Sequence, residues 1–198
     1  EYNKRTQECK SALEKINTTY PEYKFLCDVP AEVIKNYKDQ LHIDEYKRAL
    51  YASEENERTI KAAKHLKEGE ISQLGKLLYS SHQGLRDLYK VSCRELDFLV
   101  DFSVNKEYVI GSRMMGGGFG GCVLNIIDKN YIDDYIREIS DVYKNTFSFD
   151  ITSDIPPIAA PLASVPKPNS LAAPPASKGI PVAASPFAAS TVPAAIEP

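Results

Sequence analysis

The sequence carries no excess of positive charge, no long apolar run and no closely spaced cysteine pair. Each absence removes a class of function. A net charge of −3 leaves no basic footprint for a polyanionic backbone, which argues against a nucleic-acid surface. No stretch reaches the roughly 18 apolar residues of a membrane-spanning helix, and the first residues are polar and charged rather than signal-like. The expectation is a cytoplasmic chain with neither nucleic acid nor membrane as partner. Cys9, Cys27, Cys93 and Cys122 are widely spaced and form no CxxC pair. They read as reduced, mostly buried thiols rather than metal ligands or disulfides.

Proline is scarce in most of the chain and crowded at one end. Only Pro21 and Pro30 precede Pro156, and eleven of the 13 prolines lie from there to Pro198. The same stretch is rich in alanine and serine, and its only charged residues are Lys167, Lys178 and Glu197. Proline at that density withholds backbone donors and fixes φ, so neither helix nor sheet is expected to propagate. Residues 156–198 are therefore expected to be a disordered tail, and residues 1–155 the folded domain. With 26% charged and 43% hydrophobic residues, the chain has the ordinary composition of a globular protein, long enough for one domain with a real core.

Within residues 1–155 the periodicity is mixed. Residues 1–19 suit a helix with Cys9, Leu13 and Ile16 along one face, ended by Pro21. A short helical segment spans 31–37, a longer one 43–66, and Gly69 marks a break. Residues 71–89 carry Leu74, Leu77, Leu78, Leu85 and Leu88 at helical spacing. Ser92, with Glu95 three residues on, has the pattern of a capping box before Leu96, Phe98, Leu99 and Val100. Residues 108–115 and 122–127 are short β-prone runs joined by glycines. Residues 130–147 give a clear 3.6-residue stripe of Ile132, Tyr135, Ile136, Ile139, Val142 and Tyr143. A last strand is expected within 147–155. The fold class is α+β, with a split β-α-β layer and additional helices.

Six of the ten glycines fall between Gly111 and Gly121. Glycine reaches φ > 0 and admits close backbone approach. Consecutive exposed amides can form a nest for anionic oxygens, while a tight packed turn without ligand uses the same residues; glycine count alone does not separate them. No GK[ST] follows, so this is not a P-loop. It also lacks the GxGxxG spacing and following helix of a dinucleotide fold.

The segment Gly111-Ser-Arg-Met-Met-Gly-Gly-Gly-Phe-Gly-Gly-Cys122 resembles the third motif of the GHMP kinases in its galactokinase form, G-A-R-M-T-G-G-G-F-G-G-C. Ser81-His-Gln-Gly-Leu-Arg-Asp-Leu-Tyr-Lys-Val-Ser-Cys-Arg-Glu-Leu-Asp97 is similar to the galactokinase segment SHxSLRDDYEVSCPELD. Glu1-Tyr-Asn-Lys-Arg-Thr-Gln-Glu-Cys9 is similar to EYxxRRxEC from the middle of that family. The three occur in the family's order.

The resemblance implies a GHMP kinase C-terminal domain with a ferredoxin-like layer. It also implies an activity, transfer of the γ-phosphoryl group of ATP to the C1 hydroxyl of galactose, with Mg2+ neutralising phosphate charge. It assigns Tyr2 to sugar contact. It gives Gly116, Gly117, Gly118, Gly120 and Gly121 the task of shaping the cleft through backbone. The 198 residues contain neither R-x-N-x-I-G-E-H nor P-x-G-x-G-L-S-S-S-A. The family's general base and magnesium ligands belong with those segments, so no catalytic or metal-binding residue is assigned here. An N-terminal domain is the implied structural partner, and the chain alone is expected to be inactive. A non-catalytic galactokinase-like regulator or partner-binding module, and another GHMP small-molecule kinase, are the alternative readings.

Other polar residues have simpler expectations. Arg113 is assigned either to phosphate or to a structural ion pair. His42, His65 and His82 are too far apart to mark a site and read as surface or helix-packing residues. Glu54-Glu55 and Asp133-Asp134 read as solvated helix faces, since adjacent helix positions do not face one another. Gly84, Leu88, Lys90 and Arg94 depart from the family segment, and Met115 stands where the family has threonine, close to the expected cleft.

Overall fold

The computed structural model describes residues 1–155 and the backbone of 189–194. The expected disorder of 156–188 and 195–198 lies outside the described residues. Helix α1 (Tyr2–Ile16) packs with α2 (Ala31–Asn36) and the first half of α3 (Ile43–Glu68). A 3-10 turn (Leu26–Asp28) closes this group. Ala12, Ile16, Leu26, Val29, Ile34, Tyr37, Leu41 and Ala49 form its core. The capping box belongs to α3: Nδ1 of His42 accepts from the Asp44 amide at 3.3 Å, and the His42 amide donates to Glu45 at 2.8 Å. Gly69 ends α3 with φ 73°, where a residue without Cβ is at ease.

Helix α4 (Ile71–Gly84) continues into a π-helical turn (Leu85–Tyr89), then α5 (Arg94–Val104). Strands β1 (Val109–Met115) and β2 (Gly121–Ile127) form an antiparallel hairpin with Met115 opposite Cys122. Helix α6 (Ile132–Phe147) follows a 3-10 turn. Its stripe of Ile132, Tyr135, Ile139 and Tyr143 joins Leu96, Leu99, Val109, Met114, Val123 and Ile127 in the second core. On β2 the alternation Val123, Asn125, Ile127 faces inward, as one covered face of a sheet requires.

Three expectations of detail are corrected. The expected strand within 147–155 does not form; the third strand, β3 (Ala189–Ala194), pairs antiparallel with β2, setting Pro193 opposite Cys122. This places sheet structure in the proline-rich stretch, at the sheet edge, where a missing ladder donor costs least. The described strands run in the order β1-β2-β3, each antiparallel to its neighbour. Helices packed with this small sheet make the expected α+β class. Ser92 does not cap α5: the N-cap is Cys93, and the Ser92 hydroxyl instead donates to the Asp97 carboxylate at 2.5 Å. The cysteines are free, with Cys27 exposed and Cys9, Cys93 and Cys122 half-buried. Burial pushes the Cys9 and Cys93 thiols up, which keeps them protonated.

Helix α4 lies on β1 at a distance that side chains would forbid. A Cβ on Gly75 would sit 2.0 Å from the Ile110 carbonyl oxygen, and one on Gly111 would sit 2.5 Å from the Gly75 Cα. Two facing glycines let helix and strand backbones touch, which fixes where β1, and the loop after it, sits.

Candidate functional site

The glycine loop joins β1 to β2, and its backbone turns through left-handed conformations. Gly116, Gly118, Gly120 and Gly121 have φ of 103°, 90°, 135° and 110°, and Phe119 adopts φ 61° between them. At Gly118 a side chain is excluded twice, by φ and by space. A Cβ there would lie 2.5 Å from both the Cβ and the carbonyl oxygen of Val91. Next to it, the Phe119 amide donates to the Val91 carbonyl at 2.7 Å. The loop is thus clasped to the chain segment that follows the π-helical turn.

Tyr2, at the start of α1, is 66% exposed. Its Cε2 lies 3.8 Å from where a Gly117 Cβ would be. The structure therefore brings the two sequence-derived features, Tyr2 and the glycine loop, to one place. Met115 and Phe119 beside them are exposed as well, at 42% and 40%. An aromatic ring, an apolar edge and a turn of backbone groups thus meet at one solvent-exposed place. A separate hollow of about 570 Å3 opens beside α5, lined by Arg86, Lys90, Arg94, Asp97, Phe98 and Phe147 among others. None of its lining residues comes from the loop.

The support under this loop is ionic. Arg5 and Arg48 are buried and share the Glu8 carboxylate, at 3.2 Å and 2.9 Å. Arg48 also pairs with Asp44 at 3.2 Å and donates to the Leu88 carbonyl. Arg5 donates to the Lys90 carbonyl at 3.1 Å. Lys90 itself has φ 58°, a conformation a non-glycine residue keeps only when its surroundings hold it. The guanidinium groups of α1 and α3 thus fix residues 88–90, and Val91 passes that placement to the loop. A buried guanidinium bonded to both carboxylate and carbonyl has its charge compensated where it is held.

Arg113 makes a structural ion pair. It meets Glu55 at 3.1 Å and bonds the Met114 carbonyl at 2.9 Å. Glu55 also accepts from the Ser81 hydroxyl at 2.5 Å and pairs with Arg58. The expectation of a solvated face fails for Glu55, because β1 brings a guanidinium and α4 a hydroxyl onto that turn of α3. Asp134 stays exposed and pairs locally with Arg137 at 2.5 Å. His42 is exposed at its cap, and His65 lies against Glu70 at 2.5 Å. His82 is buried among α4, α5 and β1.

Sequence reading missed Gly75, the Arg5–Glu8–Arg48 network and the role of Val91. An arginine one turn from a glutamate on polar-looking helices gives no sign of burial. The sign available was Gly75, a helix-breaking residue inside a strongly apolar helical stretch.

The described residues hold one group of three side chains able to meet at a metal ion, His65, Glu68 and Glu70 at the end of α3. None belongs to the loop. The residues present around the loop do not fit a magnesium site. Among the described residues no helix is long and apolar enough to cross a membrane.

Comparison with known proteins agrees with this geometry. The family described as GHMP kinases C terminal matches residues 60–145. A galactokinase of Thermotoga neapolitana is 42% identical over 152 residues, 77% of this chain and 41% of that protein. A galactokinase of Clostridium perfringens is 35% identical over 150 residues, covering 75% and 38%. The crystal structure of Lactococcus lactis galactokinase complexed with galactose superposes with a TM-score of 0.70 at 31% identity, over 75% of this chain and 38% of that one. The chain thus spans about two fifths of the length of the curated relatives it matches. The chain belongs to the GHMP kinase family and corresponds to the C-terminal portion of the galactokinases it matches.

Proposed function

We propose that this chain supplies one wall of the active-site cleft of a kinase that phosphorylates galactose at C1 with ATP. Tyr2 contacts the sugar. Gly116, Gly117, Gly118, Gly120 and Gly121 shape the cleft by their backbone, and Met115 and Phe119 form its apolar rim. The observation that carries this reading is the meeting of Tyr2 with Gly117. It joins residues from both ends of the domain at an exposed place, where core packing has no use for them.

The reaction needs a base near the attacking hydroxyl and a metal on the phosphates. No residue of this chain is assigned either task. ATP and Mg2+ are held by residues outside these 198, on an N-terminal domain that covers the exposed wall, and the assembled kinase is cytoplasmic. Arg113 stays with Glu55 and takes no part in phosphate binding.

Two measurements test this reading. Purified chain, incubated with galactose, ATP and magnesium, is expected to form no galactose 1-phosphate; robust turnover would show that the chemistry resides here. Joined to an N-terminal galactokinase half, the chain is expected to restore turnover. In that assembly, Tyr2→Ala should raise the KM for galactose by about tenfold, one lost contact of about 1.4 kcal/mol. An unchanged KM would remove Tyr2 from the sugar site.

A further inference from the structure

His82 is 2% exposed, yet its ring is fully engaged. Its Nδ1 lies 3.2 Å from the backbone nitrogen of Met114, and its Nε2 lies 3.1 Å from the Asp97 carboxylate. A backbone amide can only donate, so Nδ1 is the acceptor and carries no proton. The ring proton is then on Nε2, where it donates to Asp97. The neutral Nε2–H tautomer satisfies both partners. Protonation at Nδ1 would set two donors against each other.

Asp97 has a second partner. The Ser92 hydroxyl donates to the same carboxylate oxygen at 2.5 Å. Ser92 follows Val91, whose carbonyl takes the Phe119 amide and whose side chain excludes any Cβ at Gly118. Met114 is the last buried residue before the glycines. One carboxylate therefore stands behind both supports of the loop, its first strand through His82 and its apex through Ser92 and Val91.

We propose that His82, Asp97 and Ser92 act as a positioning relay that sets the glycine loop, with His82 in its neutral Nε2–H form as the central member. The relay touches no substrate; it acts through Met114 and Val91. Burial pushes the His82 proton affinity down, and Arg86 pushes the same way, while Asp97 and Asp101 oppose them. The net direction favours the neutral ring that the geometry demands. The functional weight of the relay rests on the reading of this loop as a cleft wall. Its geometry is tested without sugar or turnover, so the two can fail separately.

The test uses the full chain and nuclear magnetic resonance. In the wild type near neutral pH, the His82 ring nitrogens should show a protonated Nε2 and an unprotonated Nδ1. The opposite tautomer or a charged ring would overturn the proposal without any variant being made. Two substitutions then divide the ring's work. His82→Asn places an amide oxygen near the position of Nδ1 and keeps the acceptor for Met114. His82→Gln places a donor near Nε2 and keeps the link to Asp97. Amide exchange at Met114 should stay within about twofold of wild type in His82→Asn and quicken about tenfold in His82→Gln, the loss of one buried hydrogen bond. Loop amides from Gly116 to Gly121 should shift more in His82→Gln. Equal changes in the two variants would mean that His82 only fills space, and would defeat the proposal.

Discussion

The helical cluster of α1, α2 and the first half of α3 and the layer of α4, α5, α6 and the sheet are built by different means. In the cluster the apolar core is bordered by buried charge: Arg5, Glu8 and Arg48 are bonded to one another and to carbonyls of the π-helical turn. In the layer the core is aromatic and close-packed. Tyr143, Phe147, Phe149 and Phe98 stack edge to face, and α4 meets β1 through two glycines. Directional ionic bonds hold the loop's support in register, and steric contact sets the position of its strands. The loop lies where the two regions meet, at Val91 and Gly117, and draws on both.

Four experiments separate the two modes. The largest effect is expected from Gly75→Ala, which would drive a methyl to within 2.0 Å of the Ile110 carbonyl oxygen. Backbone cannot yield as a side-chain tip can. A loss of about 4 kcal/mol is expected by urea denaturation; a loss below about 1 kcal/mol would show that the α4–β1 contact is looser than described.

Arg48→Ala strikes the other region. It leaves Glu8 short of one buried partner and the Leu88 carbonyl without its donor. A loss of about 3 kcal/mol is expected, with chemical-shift changes reaching Val91 and Phe119. Confinement of those changes to α1 and α3 would break the connection from ionic support to loop.

Acid provides the third contrast. Burial opposes ionisation of Glu45, but bonds from Lys15, Ser11 and the His42 amide outweigh it and hold the carboxyl at about 2, against a usual 4.5. A depressed carboxyl contributes stability above its unfolded value and loses it as pH falls. The α1–α3 contact should therefore lose on the order of 2 kcal/mol between pH 4.5 and 2. Glu45→Gln should remove that slope, as read by stability at stepped pH.

The smallest effects lie within the layer. Tyr135 keeps its hydroxyl 2.7 Å from Ser103, whereas the buried Tyr143 hydroxyl has no partner among the described residues. Tyr135→Phe should cost about 1 kcal/mol and Tyr143→Phe less than about 0.5 kcal/mol, since only the first loses a bond. A reversed order in thermal melts would place an unseen partner on Tyr143.

Much of the fold was legible because it is local. The apolar stripe of α6, the break at Gly69 and the two β-prone runs around the glycines each follow from periodicity or backbone freedom over a few residues. The boundaries observed for α2 and α3 lie within two residues of those read from pattern. The site was legible only in part. Tyr2 and the glycines were singled out by motif, but their meeting required α1 to be carried across the domain to the hairpin. His82 read as a packing residue because neither Asp97 nor Met114 shows in sequence that it faces the ring. Ser92 resembled a cap because its spacing to Glu95 was right, yet Asp97 offered its hydroxyl a charged acceptor. Glu55 looked solvated because the Arg113 guanidinium of β1 and the Ser81 hydroxyl of α4 lie far from it in sequence.

Sequence by itself determined the family signature, the helices and the hairpin, since periodicity and glycine act through neighbours along the chain. Tertiary structure alone decided which charges are buried, which glycines permit contact and how the loop is held. Those outcomes depend on groups far apart in sequence, by 40 residues for Arg48 with Glu8 and 85 for Arg5 with the Lys90 carbonyl. Desolvation makes such pairings strong only after the chain has closed around them.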